Sequence, residues 1–139
     1  MIGIVIVAHG GLAREYLAAV EHVVGQQVGV MAITILPDDD RAAKQEEICI
    51  AADSVDMGDG VVIVTDMFGG SPSNLSLRAC SVSDRRILYG ANLPMLIKLA
   101  KSRGKTVPEA VRAALTAGRK YIDSLIVDAG LQTETRTGT

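Results

Sequence analysis

Short apolar runs rich in valine and isoleucine recur along this chain. Four of them have the length of a β-strand, at Ile2–Ala8, Val30–Leu36, Val61–Thr65 and Arg86–Tyr89. They lack the alternation of polar and apolar residues that marks a strand with one exposed face. Such strands are typical of parallel sheets, because helices cover both faces of a parallel sheet.

Helical patterns lie between the first strands. From Leu12 to Val24, apolar residues recur at the spacing of one helix face. The segment Arg41–Val55 follows three aspartates, and acidic residues favour the positive N-terminal end of a helix dipole. Strands that alternate with helices predict an α/β fold, a three-layer sandwich in which helices flank a mainly parallel sheet.

The C-terminal part breaks this alternation. Pro94–Ser102 and Val107–Ile122 both have helical patterns, and Thr106 and Glu109 have the spacing of a capping box. Two antiparallel helices in succession return the chain to the end of the sheet from which it left. Ser124–Val127 is therefore predicted to be an antiparallel strand at the edge of the sheet. Because an exposed edge strand can pair with another chain, we expect a homodimer formed through this strand.

The sequence as a whole fits one compact domain. It has 139 residues, of which 48% are hydrophobic, and two domains of half this size would each bury too little surface. We predict a single domain at residues 1–129. Residues 130–139 are polar and are predicted to form a disordered tail.

Composition excludes several classes of partner. The formal net charge is −2 and we see no cluster of Lys and Arg that outweighs it, so nucleic acid is not expected as a partner. The apolar runs are far shorter than the roughly 20 residues of a membrane helix, and the basic region of a signal peptide is missing. We expect a cytoplasmic protein without direct membrane insertion. Cys49 and Cys80 are far apart in the sequence and are interpreted as small buried side chains.

Polar residues follow three of the predicted strands. His9 follows the first strand, Asp66 the third and Asn92 the fourth. Open parallel sheets bind ligands at the carboxyl ends of their strands, where these residues are expected to meet. Gly10 and Gly11 allow a sharp turn after His9 and leave room for a group that approaches the imidazole. The structural alternative is a histidine that caps the following helix or fills a gap in the core.

A carboxylate beside this histidine would make the imidazole a nucleophile. If Asp66 accepts the proton of Nδ1, then Nε2 stays unprotonated, and the carboxylate stabilises the cation that forms when Nε2 takes up a group. The alternative role of Asp66 is to accept backbone hydrogen bonds from the glycine turn that follows it.

The glycine turn suits a phosphate. Gly69 and Gly70 form a tight turn, Ser71 can cap a helix, and Pro72 suits the first helical position. Free backbone N–H groups at such a helix start favour a doubly charged phosphate. Because any good helix start has this pattern, the prediction of a phosphate site depends on the neighbouring Asp66 and His9.

Other chemical motifs fail on inspection. His22 lies away from the apolar stripe of its helix and is interpreted as solvated, and the aspartates 38–40 as complements of a helix dipole rather than a magnesium site. Ser73 stands where a nucleophile elbow needs glycine. The segment "GGLARE" lacks the Lys-Ser/Thr end of a nucleotide-binding P-loop. No metal and no cofactor are predicted.

Three short motifs carry a family resemblance. "AHGGLA" follows the first strand, "TDMFGGSPSN" begins at the end of the third, and "GANLPML" follows the fourth. In this order the chain resembles, over about residues 1–128, the enzyme IIA component of the mannose-type (mannose/fructose/sorbose) phosphotransferase system. The resemblance implies a phosphoryl carrier that accepts phosphate from the phosphocarrier protein HPr and passes it to an enzyme IIB.

The resemblance also assigns roles to residues. It implies that His9 is phosphorylated on Nε2, that Asp66 orients the imidazole, and that Gly69–Ser71 lies against the phosphoryl oxygens. For the fold it implies a mainly parallel sheet whose antiparallel last strand is exchanged in dimers. The chain departs from the family where Ser73 replaces a frequent aromatic residue, and it ends without a linked IIB domain. A regulatory carrier is therefore an alternative to a transport component.

Three other interpretations compete with this one or extend it. "VAHG" after a first strand also resembles small metal chelatases, which need a second histidine facing the first; here the other histidine is His22, on the solvent face of a helix. A regulatory binding module is compatible with phosphorylation, because a phosphate turns a neutral imidazole into a dianionic surface. The IIA-like part of dihydroxyacetone kinase systems matches less well, because its glycine turn differs from "FGGSPSN".

Overall fold

The computed structural model describes residues 1–67, 71–81 and 84–127. Strands and helices alternate through the first two thirds of the chain, and two helices follow the last strand. The elements are β1 (Gly3–His9), α1 (Leu12–Val24), β2 (Val30–Ile35), α2 (Arg41–Val55), β3 (Val61–Thr65), α3 (Ser71–Ser76), β4 (Arg85–Leu88), α4 (Leu93–Lys101) and α5 (Val107–Lys120). A short 3-10 turn at Leu77–Cys80 connects α3 towards β4.

The described part of the sheet has four strands, all parallel, in the order β2-β1-β3-β4. Ile4 of β1 lies opposite Val30 of β2 on one side and Val62 of β3 on the other. The predicted α/β class and the four parallel strands are confirmed. β1 and β3 are the central strands, and both are buried almost throughout, which explains why their sequences are continuously apolar.

Helices cover both faces of the sheet. On one face α1, α4 and α5 pack on alternate residues of the central strands, including Ile4, Ile6, Val62 and Val64. On the other face α2 and α3 pack on the residues between them, such as Val5, Val7 and Ile63. This is the three-layer arrangement that the sequence predicts.

The predicted antiparallel edge strand is absent from the described residues. Residues 122–127 have no regular secondary structure, and their side chains are exposed. Helix α5 ends at Lys120, two residues before the predicted end. In the described part of this chain, Ser124–Val127 therefore pairs with neither edge strand of the sheet.

The α4–α5 hairpin forms as expected. Thr106 and Glu109 make the complete capping box that their spacing predicts. The loop between the two helices carries Arg103, whose guanidinium is buried and donates to the carbonyls of Ile2 (2.7 Å) and Gly29 (3.2 Å). Burial lowers the pKa of Arg103. These bonds tie the hairpin to the edge of the sheet opposite the carboxyl ends of the strands.

Positive charge is concentrated on this hairpin, which the sequence analysis missed. Half of the 14 basic residues of the chain lie at Lys98, Lys101, Arg103, Lys105, Arg112, Arg119 and Lys120. Lys98, Lys105, Arg112 and Lys120 line a groove of about 550 Å³ together with Glu109.

The absence of nucleic acid as a partner stays a prediction. In the part of the chain that the structure describes, no helix is long and apolar enough to cross a membrane.

An ion-pair cluster joins β4 to the end of α2. The guanidinium of Arg85 lies 2.8 Å from a carboxylate oxygen of Asp53 and 3.1 Å from one of Asp56. The backbone N–H of Gly58 and the guanidinium of Arg85 hold the pKa of Asp56 below its usual value. The side chain of Asp56 is 23% exposed and that of Asp53 is 68% exposed, so Asp56 is the better shielded partner.

We expect Asp56→Asn to lower the free energy of unfolding by about 1 kcal/mol at neutral pH. A carboxyl group whose pKa is lower in the folded state stabilises the protein above its unfolded pKa, and this stabilisation is lost as the pH falls through the folded pKa. The difference between Asp56→Asn and the wild type should therefore be present in urea unfolding at pH 7 and smaller at about pH 3, below the ordinary pKa of an aspartate. Asp53→Asn is the control and should have a smaller effect. A difference that is equal at both pH values would contradict this assignment.

Candidate functional site

The candidate site lies at the carboxyl edge of the sheet, where β1 and β3 end side by side. Val7 of β1 pairs with Thr65 of β3, so His9 and Asp66 leave the sheet at the same edge. Gly10 then turns the chain with a φ of 56°, a conformation that favours glycine. Its N–H donates to the carbonyl of Ile35 at the end of β2 (3.0 Å), which fixes the loop against the sheet.

The side chains of His9 and Asp66 are in direct contact. Nδ1 of His9 lies 2.9 Å from Oδ2 of Asp66, and the backbone N–H of His9 donates to the same oxygen at 3.1 Å. A carboxylate accepts hydrogen bonds and donates none, so Nδ1 is the nitrogen that carries the proton of a neutral imidazole here, and Nε2 of that form keeps its lone pair. The two contacts fix both the position and the tautomer of the imidazole.

Burial differs sharply between the two residues. The side chain of His9 is 47% exposed, whereas that of Asp66 is 11% exposed. No described residue forms a hydrogen bond with Nε2 of His9. The second carboxylate oxygen of Asp66, Oδ1, is buried and has no hydrogen-bond partner among the described residues. The arrangement can present a nucleophilic nitrogen to solvent while the carboxylate behind it stays shielded.

The predicted phosphate turn is described only in part. Gly69 and Gly70 lie outside the described residues, and so does the side chain of Ser71. α3 begins at Ser71, as the Ser-Pro pattern predicts for a helix start. The contact of Gly69–Ser71 with a phosphate therefore stays a prediction, and so does the alternative in which Asp66 accepts from the glycine turn.

Asn92 has a structural role at this edge of the sheet. Its side-chain oxygen accepts from the N–H of Met95 (3.0 Å) and caps α4, while its side-chain nitrogen donates to the carbonyl of Gly118 in α5 (2.9 Å). Both polar ends of the amide are occupied. The "GANLPM" motif thus holds the α4–α5 hairpin to the carboxyl edge of the sheet.

The second histidine and the aspartates 38–40 were the other candidates for a ligand site. His22 is exposed near the end of α1. Asp40 caps α2 by accepting from the N–H of Ala42, and Asp39 accepts from the N–H of Leu36. These bonds agree with the interpretation of the aspartates as a helix start. Within residues 1–67, 71–81 and 84–127, no group of three His, Cys, Asp or Glu side chains is arranged to hold a metal ion.

One side of the site was missed in the sequence. A cavity of about 620 Å³ next to His9 is lined by Leu36, Pro37 and Asp39 from the loop after β2, by Arg41 at the start of α2 and by Leu75 from α3. The order of the sheet explains this, because β2 is a direct neighbour of β1 and its carboxyl end opens at the same edge. Ligands bind at the carboxyl ends of parallel strands, and this rule applies to the end of β2 as it does to β1 and β3. The polar residues after β2 are the aspartates 38–40, whose pattern is that of a helix start.

Comparisons with known proteins agree on one family. A family model described as "PTS system fructose IIA component" matches residues 3–115. The mannose-specific EIIAB component of the phosphotransferase system of Escherichia coli K12 is 29% identical over 127 residues, which cover 89% of this chain and 39% of that protein. The chain thus spans about two fifths of the length of the curated relatives that it matches.

Solved structures share the fold. The phosphotransferase component EIIA of Streptococcus agalactiae is 27% identical, with a TM-score of 0.75 over 89% of this chain and 97% of that one. The mannose/sorbose-specific IIA subunit of Enterococcus faecalis has a TM-score of 0.81 over 91% of this chain and 96% of that one. Its identity is 22%, so this likeness concerns the fold alone.

Proposed function

Because the chain belongs to the mannose-type enzyme IIA components of the sugar phosphotransferase system, we propose that it carries a phosphoryl group on Nε2 of His9. The observation that supports this most directly is the 2.9 Å contact between Nδ1 of His9 and Asp66, together with the half-exposed imidazole. The contact leaves Nε2 as the free nucleophile, and the exposure gives a donor protein in-line access to it.

The transfer requires no group beyond those of the two proteins. The lone pair of Nε2 attacks phosphorus as the bond between phosphorus and the donor breaks, and the electrons of that bond return to the donor. Nδ1 keeps its proton, and the carboxylate of Asp66 balances the positive charge that the imidazole gains. In the second transfer an acceptor nucleophile takes the phosphoryl group, and the electron pair of the N–P bond returns to Nε2.

Apolar side chains beside the site support a protein as the reaction partner. Leu12 follows His9 by three residues, Leu36 lines the cavity, and Met67 follows Asp66, and all three side chains are exposed. Apolar residues exposed together at a reactive group are typical of surfaces that contact another protein. A carrier between two proteins needs such a surface more than it needs a closed substrate pocket.

We propose phosphorylated HPr as the donor and an enzyme IIB as the acceptor. The same phosphorylated state can serve as a regulatory signal, because a dianion at the centre of an apolar surface changes which protein binds there. The test is incubation of the chain with phosphorylated HPr and then with an enzyme IIB. Acid-labile phosphate on the chain supports the carrier, and its removal by IIB supports relay. A known enzyme IIA serves as the control. If the control is fully phosphorylated and this chain carries no acid-labile phosphate under the same conditions, the proposal is overturned.

We also propose a homodimer that exchanges the C-terminal segment. β4 is at the edge of the sheet, and in the described residues it pairs with β3 alone. Beside it lies a largely apolar groove of about 330 Å³, lined by residues that include Ile87, Leu115 and Ile122. Residues 122–127 carry exposed apolar side chains and pair with no strand among the described residues of their own chain. Pairing with β4 of a second copy would satisfy both.

Light scattering at micromolar concentration should give twice the mass of one chain. Ile126→Pro removes a backbone N–H from the predicted edge strand, so this variant should shift the mass towards the monomer. Val28→Thr is the control. It changes an exposed apolar residue just before β2, at the opposite edge of the sheet from β4, and should leave the dimer intact. A monomeric wild type would contradict the proposed dimer.

A further inference from the structure

Arg41 is the first residue of α2 and lies beside the candidate nucleophile. The bond from Gly10 N–H to the carbonyl of Ile35 brings the end of β2 against the loop that carries His9. Six residues after the last residue of β2, Arg41 lines the same cavity of about 620 Å³ as His9. In the sequence, this arginine marks only the start of a helix.

The carboxylates near Arg41 already have other partners. Asp39 accepts from the N–H of Leu36 at 2.7 Å and lies 3.6 Å from Nζ of Lys44. Asp40 accepts from the N–H of Ala42 at 3.1 Å. Arg41 is exposed, and in the described part of the chain its guanidinium forms no hydrogen bond or ion pair. A cation with this freedom next to a cavity is available to an anion that enters it.

Phosphorylation of His9 would leave an excess of negative charge around the imidazole. A phosphoryl group brings nearly two negative charges to Nε2, while Asp66 holds a further negative charge on the Nδ1 side of the same ring. Arg41 is the one cation among the described residues that line the cavity. Asp39 also lines it, but its carboxylate lies 3.6 Å from Nζ of Lys44, which balances that charge. The other lining residues from this loop and from α3 are mostly apolar, which strengthens an ion pair formed between them.

We propose that Arg41 binds the phosphoryl oxygens of phosphorylated His9 and stabilises that state. This inference rests on the proposed phosphorylation of His9 and adds a binding residue from a different strand end. The planar guanidinium can donate two parallel hydrogen bonds to a phosphate, whereas lysine at the same position supplies charge without that geometry. Arg41 therefore shifts the equilibrium of phosphoryl exchange with the donor towards the phosphorylated chain.

The first measurement separates Arg41 from the partner proteins. Phosphoramidate, a small phosphoryl donor, is used to phosphorylate the wild type and the variants Arg41→Ala and Arg41→Lys, and the phosphohistidine is titrated by ³¹P NMR. Loss of the guanidinium should raise the second pKa of the phosphoryl group by about half a unit, because a nearby cation favours the dianion. Arg41→Lys should show a smaller rise. Arg112→Ala removes an exposed arginine on α5 and should titrate like the wild type.

The second measurement is the exchange equilibrium with HPr. At a fixed ratio of phosphorylated to free HPr, the ratio of phosphorylated to free Arg41→Ala should be about fivefold lower than for the wild type. A wild type that takes no phosphate on His9 from either donor overturns the proposed function, and this inference with it. A labelled wild type that Arg41→Ala matches in both measurements overturns the role of Arg41 alone and leaves the carrier intact.

Discussion

Replacing His9 with alanine should abolish phosphorylation of this chain, with a loss of at least about a thousandfold in initial rate. The reason is that the imidazole is the nucleophile and methyl has no lone pair to replace it. His9 leaves β1 at an exposed turn, so its removal opens no cavity in the core. The measurement is acid-labile phosphate transferred from phosphorylated HPr, with the melting temperature of the variant as a check on its fold.

His22→Ala is the matched control for this experiment. His22 is the second of the two histidines in the chain, it is exposed on α1, and no role in transfer is expected for it. His22→Ala should therefore accept phosphate at the wild-type rate. Undiminished acid-labile phosphate on His9→Ala would show that the phosphoryl group is carried elsewhere and would remove the proposed mechanism.

Asp66→Asn should lower the rate of phosphoryl transfer by about a hundredfold. Asparagine has nearly the shape of aspartate, but its amide supplies no negative charge, and it can turn its NH₂ group towards Nδ1. The imidazole would then hold its proton on Nε2, which removes the lone pair that attacks phosphorus. The cation that forms on transfer would also lose the carboxylate that balances it.

The rate is measured by rapid quench, and the tautomer of His9 by ¹⁵N NMR of the imidazole. The wild type should carry the proton on Nδ1, and Asp66→Asn should shift the tautomer towards Nε2. Asp38→Asn changes an exposed carboxylate in the neighbouring loop and should alter neither reading. A variant with the wild-type rate and a displaced proton would show that the tautomer does not limit the transfer.

The order of strands and helices could be predicted because it depends on local patterns. The continuous apolar runs of β1 and β3 mark strands buried on both faces, and both lie at the centre of the sheet. The capping box of Thr106 and Glu109 was predicted from spacing and is complete in the structure. Such signals involve residues within a few positions of each other, so no knowledge of the fold is needed to detect them.

The last strand was not predictable in the same way. The expectation for Ser124–Val127 came from topology, and in one chain these residues have no regular secondary structure. A strand exists only when its backbone N–H and C=O groups find a partner, and here the proposed partner is a second copy of the chain. The sequence indicated an exposed apolar segment but not whether one chain could satisfy it.

Asn92 shows that the strand-end rule also selects residues whose side chains hold the fold together. The strand-end rule placed it with His9 and Asp66, but its amide caps α4 and bonds to α5. Asparagine serves caps and ligands equally well in a sequence, because both roles use the same two polar atoms. Only the position of Gly118, 26 residues further along, decides which role it takes.

The sequence by itself determined the α/β class, the four parallel strands, the family and the two residues that meet at the carboxyl edge of the sheet. The fold class, the strands and the two residues follow from apolar periodicity and from the rule that parallel strands end at a common edge. The family follows from the resemblance of three short motifs. The tertiary structure alone decided that Nδ1 of His9 contacts Asp66 at 2.9 Å and that Arg41 shares a cavity with His9. Both depend on the order of strands in the sheet, which hydrogen bonds between distant segments set and which no local pattern encodes.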